Sequence, residues 1–91
     1  MKLRWSNEAL DELAAITDFV AQFSPRYADE LATRILEAAD KLLDFPAMGR
    51  KNVALDSPHV RELIIEKYRL VYYIDSQLIT IVAVRHQAQR R

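Results

Sequence analysis

The sequence predicts an α+β domain in which an N-terminal strand and an antiparallel two-helix hairpin precede a three-stranded antiparallel meander. Three observations predict it. Apolar residues recur every three or four positions in the first half, β-branched and aromatic runs fill the second, and a Ser-Pro step divides the helical stretch in two. Residues 1–91 are expected to form a single domain, because a chain of 91 residues that is 51% apolar supports one modest core.

Residues 2–5, KLRW, alternate polar and apolar and read as a short strand with Leu3 and Trp5 turned inward. Ser6 or Asn7 then caps a helix whose first turn carries Glu8, suited to the positive end of the helix dipole. Its expected core stripe is Leu10, Leu13, Ile16, Val20 and Phe23. Ser24-Pro25 is a second start signal, a cap followed by proline where its missing N–H costs nothing. The stripe of the second helix is Ala28, Leu31, Ile35, Ala38, Leu42 and Phe45. With almost no residues between them the two helices must be antiparallel. A coiled coil is the alternative for such a stripe, but the run stops at Pro46 after about three heptads, as an intramolecular hairpin does.

The only glycine, Gly49, lies in PAMGR, residues 46–50, and a loop of about a dozen residues is expected from there to Pro58. Gly49 is expected to allow a turn, and Arg50 to cap the last carbonyls of the preceding helix. Three strands follow: VRELII (60–65), YRLVYYI (68–74) and LITIVAV (78–84), joined by short connections. The last is apolar on both faces, which suits a central strand or one covered on its second face. The tail RHQAQRR is polar, either frayed or a short terminal helix.

Composition excludes several classes of function. The chain has no cysteine, so it can form neither a disulfide nor a thiolate metal site. Its two histidines, His59 and His86, lie far apart with no ligand spacing, and neither metal nor cofactor is expected. No apolar run approaches a membrane span and the N-terminus lacks a signal-like apolar segment, so a soluble, cytoplasmic protein with no membrane partner is expected. The net charge of zero conceals an asymmetry: residues 1–45 carry five Lys/Arg against nine acids, and residues 46–91 carry eight against four. These are either ordinary solvated faces or a sign that an anionic partner meets the C-terminal half.

Five segments, LRWSNEALDEL, LLDFPAMGR, VRELI, YRLVYYI and ITIVAVRH, together resemble the RelE/ParE superfamily of type II toxins over nearly the whole chain. The P-x-x-G-R after the helices and the R-E-L before the tyrosine strand look more like ParE than RelE. The resemblance implies a toxin held inactive by a cognate antitoxin. ParE-like members typically poison DNA gyrase, and RelE-like members cut messenger RNA in the ribosomal A site. A degenerate member that binds antitoxin without toxicity is a third possibility.

Cleaving RNA through its 2′-hydroxyl needs a base, a cation for the charge developing on phosphate, and an acid for the leaving oxygen. Strand parity puts Arg69, Val71 and Tyr73 on the open sheet face and Leu70, Tyr72 and Ile74 against the helices. On the last strand Ile79, Ile81 and Ala83 are expected to face the core, leaving Thr80, Val82, Val84 and His86 open. Arg69 and His86 then share a surface, provided no bulge shifts the register. That pair resembles the arginine and histidine of some ribonuclease members, with Arg61, of unclear parity, as a third candidate.

The rest of the ribonuclease set is missing. Gln87 follows the histidine where those members have an aromatic residue, the loop from Arg50 to Pro58 holds only Lys51 and Asp56, and the chain is not basic overall. His86 could equally be a structural histidine, Arg69 could pair with Glu62 or Glu66, and Tyr68, Tyr72 and Tyr73 could stack on bases or fill the core. The expected function is therefore a ParE-like gyrase inhibitor whose target-binding residues are Arg50, Arg61, Lys67, Arg69, Arg85 and His86. The alternative is a ribosome-dependent messenger RNA endonuclease that uses Arg69, His86 and Arg61. An antitoxin helix or strand is expected on apolar surface beside the hairpin or along the sheet.

Overall fold

A computed structural model describes residues 1–51 and 57–88. The elements are β1 (Lys2–Trp5), α1 (Asn7–Ala21), α2 (Pro25–Lys41), β2 (Arg50–Lys51), β3 (Val60–Ile65), β4 (Tyr68–Asp75) and β5 (Leu78–His86). The strands form one mixed sheet in the order β1-β5-β4-β3-β2. The meander is antiparallel as expected, and β5 is an inner strand, because β1 joins it on its other side, parallel to β5, Leu3 opposite Ile79 and Trp5 opposite Ile81.

Both helices begin where their caps dictate. Ser6, rather than Asn7, caps α1 by accepting the Ala9 N–H at 3.0 Å, and Ser24 caps α2 by accepting the Tyr27 N–H at 3.1 Å. The hairpin lies on one sheet face, α1 against β5 and α2 against β3. Its buried residues are Ala9 and Leu13 from α1, with Ala28, Leu31, Ile35, Ala39 and Leu42 from α2 and the turn after it. They meet Leu70, Tyr72, Ile79, Ile81 and Val84 from the sheet, and Leu3, Trp5, Ile16 and Val20 close the margins.

Both helical stripes differ at their ends from expectation. Leu10 is 46% exposed and Phe23, beyond the end of α1, is 76% exposed; the small Ala9 takes the inward position and lets the helix approach the sheet closely. Ala39 rather than Ala38 is fully buried, and Phe45 lies outside the core once α2 has ended.

The expected loop after Pro46 is partly a strand. Arg50 and Lys51 pair antiparallel with Glu62 and Arg61. The reason is local anchoring: the buried Tyr72 hydroxyl donates to the Pro46 carbonyl at 2.8 Å and accepts the Gly49 N–H at 2.9 Å, and Arg61 Nη1 donates to the Gly49 carbonyl at 2.7 Å. These bonds press the PAMGR turn against β3. Gly49 serves close approach instead of an unusual backbone angle, since a Cβ there would lie 2.6 Å from the Tyr72 hydroxyl and 2.7 Å from the Glu62 carbonyl. Asp56 and the end of the tail fall outside the described residues.

Candidate functional site

β4 follows its expected parity. Leu70 and Tyr72 are in the helix-side core, while Val71 joins Val60, Ala83 and Val82 in a small apolar cluster on the opposite, open face. β5 departs from expectation halfway along. Tyr72 pairs with Ile81 but Val71 pairs with Ala83, so Val82 is an extra residue and β5 is bulged there. One inserted residue exchanges the two faces for everything beyond it. Ala83 thus faces the open side and Val84, 2% exposed, enters the core.

The same bulge corrects the expectation that Arg69 and His86 share a surface. Arg69 stands opposite Arg85 on the open face, whereas His86 stands opposite Tyr68 on the helix side. The His86 ring meets the Tyr68 ring edge-on at 5.5 Å, and its Nδ1 accepts the Ala88 N–H at 3.1 Å. Gln87 makes two bonds to the β3–β4 turn: its N–H donates to the Lys67 carbonyl at 2.7 Å and its side chain to the Glu66 carbonyl at 2.7 Å. Lys67 itself is exposed in that turn.

On the open face, Arg50, Glu62 and Arg69 form a network across three strands. Glu62, only 7% exposed, accepts from Arg50 at 2.9 Å through one carboxylate oxygen and meets Arg69 Nη1 at 3.4 Å through the other. A carboxylate so buried is held by paired cations because burial alone strongly disfavours a charge. Arg50 therefore does not cap the helix before it. Arg61 lies on the other side of β3, opposite Tyr72, and its guanidinium is committed to the PAMGR turn. Arg85 reaches over the sheet edge to Glu12 Oε2 at 3.3 Å. Strand alternation turns Lys2 and Arg4 to the open face as well, since Leu3 and Trp5 face the core.

The charge imbalance between the two halves of the sequence is thus an imbalance between layers: acids on the outward helix faces, and a sheet face that carries Lys2, Arg4, Arg50, Arg69 and Arg85, with Glu62 held between Arg50 and Arg69. The structure brings Arg50, Arg69 and Arg85 together and leaves Arg61, Lys67 and His86 apart from them. Sequence reasoning missed Glu12, which bonds the Val84 N–H across 72 residues, and no sequence pattern marks such a pair. Of the four tyrosines, Tyr72 is core, Tyr68 packs at its margin, and Tyr73 is 37% exposed on the open face beside His59, with ring centroids 5.5 Å apart. The fourth, Tyr27, binds Glu66 at 2.5 Å, and Arg34 binds the same carboxylate.

A strand, a helical hairpin and a further run of strands in one mixed sheet make this an α+β fold of the RelE/ParE toxin type. The family described as ParE toxin of type II toxin-antitoxin system, parDE, matches residues 3–91, and the chain belongs to that family. A protein named Toxin RelE2 from Caulobacter vibrioides is 40% identical over 86 residues, 93% of each chain. A solved chain described as a chromosomal ParDE TA system from P. aeruginosa is similar with a TM-score of 0.78 at 25% identity, over 94% of this chain and 95% of that one. The protein is a toxin of a type II toxin-antitoxin system, which implies an antitoxin partner. None of its described helices is long and apolar enough to cross a membrane.

Proposed function

We propose that the protein acts in the cytoplasm by binding DNA gyrase and stalling it, with its cognate antitoxin blocking that binding. The observation that carries this reading is the bulge at Val82, which puts Arg69 and His86 on opposite faces of the sheet. Arg69 is engaged by the buried Glu62, and His86 packs edge-on against Tyr68 with Nδ1 occupied. A cation and a general acid on opposite faces do not converge on one phosphate. What the open face offers instead is a cluster of arginines suited to an acidic protein surface or to the DNA that gyrase carries. The match to the ParE family supports the same target.

Purified protein is expected to inhibit gyrase supercoiling, and His86→Ala to inhibit as strongly as the unaltered chain. Supercoiling left untouched at large molar excess would count decisively against the proposal. A second reading, cleavage of ribosome-bound messenger RNA by Arg69 and His86, is favoured by the relative named Toxin RelE2. It requires cuts in translated messages that His86→Ala abolishes; intact translation in arrested cells rules it out.

A further inference from the structure

Side chains cross the open sheet face in rows. In one row Arg4 of β1 stands beside Thr80 of β5, and Thr80 faces Tyr73 of β4. In another, Arg69 of β4 faces Arg85 of β5. Between these rows lie Val71 and Ala83, and the same row continues through Glu62 on β3 to Arg50 on β2.

Two features of this face contribute nothing to the fold. Like charges directly opposite each other destabilise a sheet, yet Arg69 and Arg85 are so placed, and their carboxylates, Glu62 from β3 and Glu12 from α1, reach the pair from its two outer sides. An anion between the two guanidiniums would relieve that repulsion. The second feature is an aromatic pair left in water on a cationic surface. Tyr73 and His59 are both exposed, with ring centroids 5.5 Å apart, and Tyr73 shares its row with the exposed Arg4. Arg50 is 68% exposed even while Glu62 holds it. Of the acids on this face, Glu62 is buried between its arginines and Asp75 lies at the end of β4 beyond Tyr73.

We propose that this face binds single-stranded DNA, with phosphates on Arg4, Arg50 and Arg85 and an unpaired base against the Tyr73–His59 pair. A nucleic acid fits better than an acidic protein because rings and cations alternate across the face, as bases and phosphates do along a strand. A single strand follows because an exposed ring stacks only on a base freed from its partner. A face five strands wide is also too broad for a duplex groove that admits one helix or a two-stranded ribbon. The binding stands on the face alone; the choice of DNA over RNA rests on the gyrase reading.

The test titrates the purified full chain, without gyrase, into a labelled oligothymidine and follows fluorescence anisotropy. Three phosphate contacts should make a fourfold rise in salt weaken binding by about twentyfold. Arg4→Gln and Arg85→Gln should each flatten the salt dependence by about one phosphate contact. Tyr73→Ala should weaken binding about tenfold, and Tyr73→Phe, which keeps the ring, should bind as the unaltered chain does. Arg26→Gln, a 91% exposed change on α2, is the unaffected control. Circular dichroism verifies that each variant is folded. Binding that ignores salt, or that survives Tyr73→Ala undiminished, overturns the inference. So does competition by a duplex or by polyglutamate as strong as that by the unlabelled single strand. An oligouridine bound more tightly than the oligothymidine overturns the choice of DNA. A chain that inhibits supercoiling without binding the oligothymidine overturns this face as a DNA site and leaves the gyrase reading standing. A chain that binds it and leaves supercoiling untouched supports the face and overturns that reading.

Discussion

Tyr72 shows how one side chain can fix a functional surface from beneath. Its ring is fully buried, and its hydroxyl links the Gly49 N–H to the Pro46 carbonyl. Burial raises its pKa, with the Gly49 bond and the Arg61 charge opposing the rise only in part, so the phenol keeps the proton it donates to Pro46. Tyr72→Phe is expected to cost about 2 kcal/mol, because the buried Gly49 N–H and the half-buried Pro46 carbonyl lose their partner. Gly49→Ala should cost roughly 1–3 kcal/mol through overpacking against the same ring. Urea unfolding of the two single variants and the double variant checks both, and a double variant that is clearly less than additive is expected, since the sites touch. Glu62→Ala should be worse than Glu62→Gln, by about 2 kcal/mol or more, because it takes a shared acceptor from two arginines. Sequence reading anticipated Glu62 as one of two partners for Arg69 but not its burial, which depends on β2 lying alongside.

Among the elements, the β3–β4 hairpin is tied to α2 through its turn. Glu66 sits at φ 55, a left-handed conformation that a non-glycine residue adopts at some cost, and its carboxylate accepts from Tyr27 and Arg34 of α2. The Tyr27 bond chiefly, then Arg34, hold the Glu66 carboxyl below its ordinary 4.5. A carboxyl depressed by folding stabilises the native state above its unfolded value, and that contribution disappears as pH falls through the folded value. The loss of thermal stability on acidification from about pH 6 to 3 should therefore be shallower in Glu66→Gln than in the unaltered chain. Because this group is partly exposed, the difference should shrink in high salt. The strand parities of β4 were legible from alternation alone. Those of β5 were not, because Val82 is as apolar as its neighbours and nothing in a continuous β-branched run marks which residue is the extra one.

For the whole molecule, a domain this small holds only a modest reserve of stability, and a bound partner adds to it by mass action. At a hundredfold excess over its dissociation constant, the antitoxin should raise stability by about 2.7 kcal/mol. That corresponds to a rise of roughly 10–20 °C in Tm for a domain of this size. Differential scanning fluorimetry over a titration measures it, and a midpoint that does not move with antitoxin concentration would contradict an antitoxin that binds the folded toxin. The layering of charge bears on the target as well: a basic sheet face backed by acidic helices has a polarity that a net charge of zero hides.

By itself the sequence determined every element but β2, their order and the hairpin, because caps, proline and hydrophobic period act over a few residues and need no partner from afar, whereas β2 exists only through its pairing with β3. It also carried the family, through five ordinary segments in a particular order. Only the tertiary structure decided the parallel seat of β1 on β5, the bulge that separates Arg69 from His86, the commitment of Arg61 to the PAMGR turn, and the bond from Glu12 to the edge of β5. Each of these depends on residues far apart in the chain meeting in space, and a pairing between distant positions leaves no trace in local periodicity.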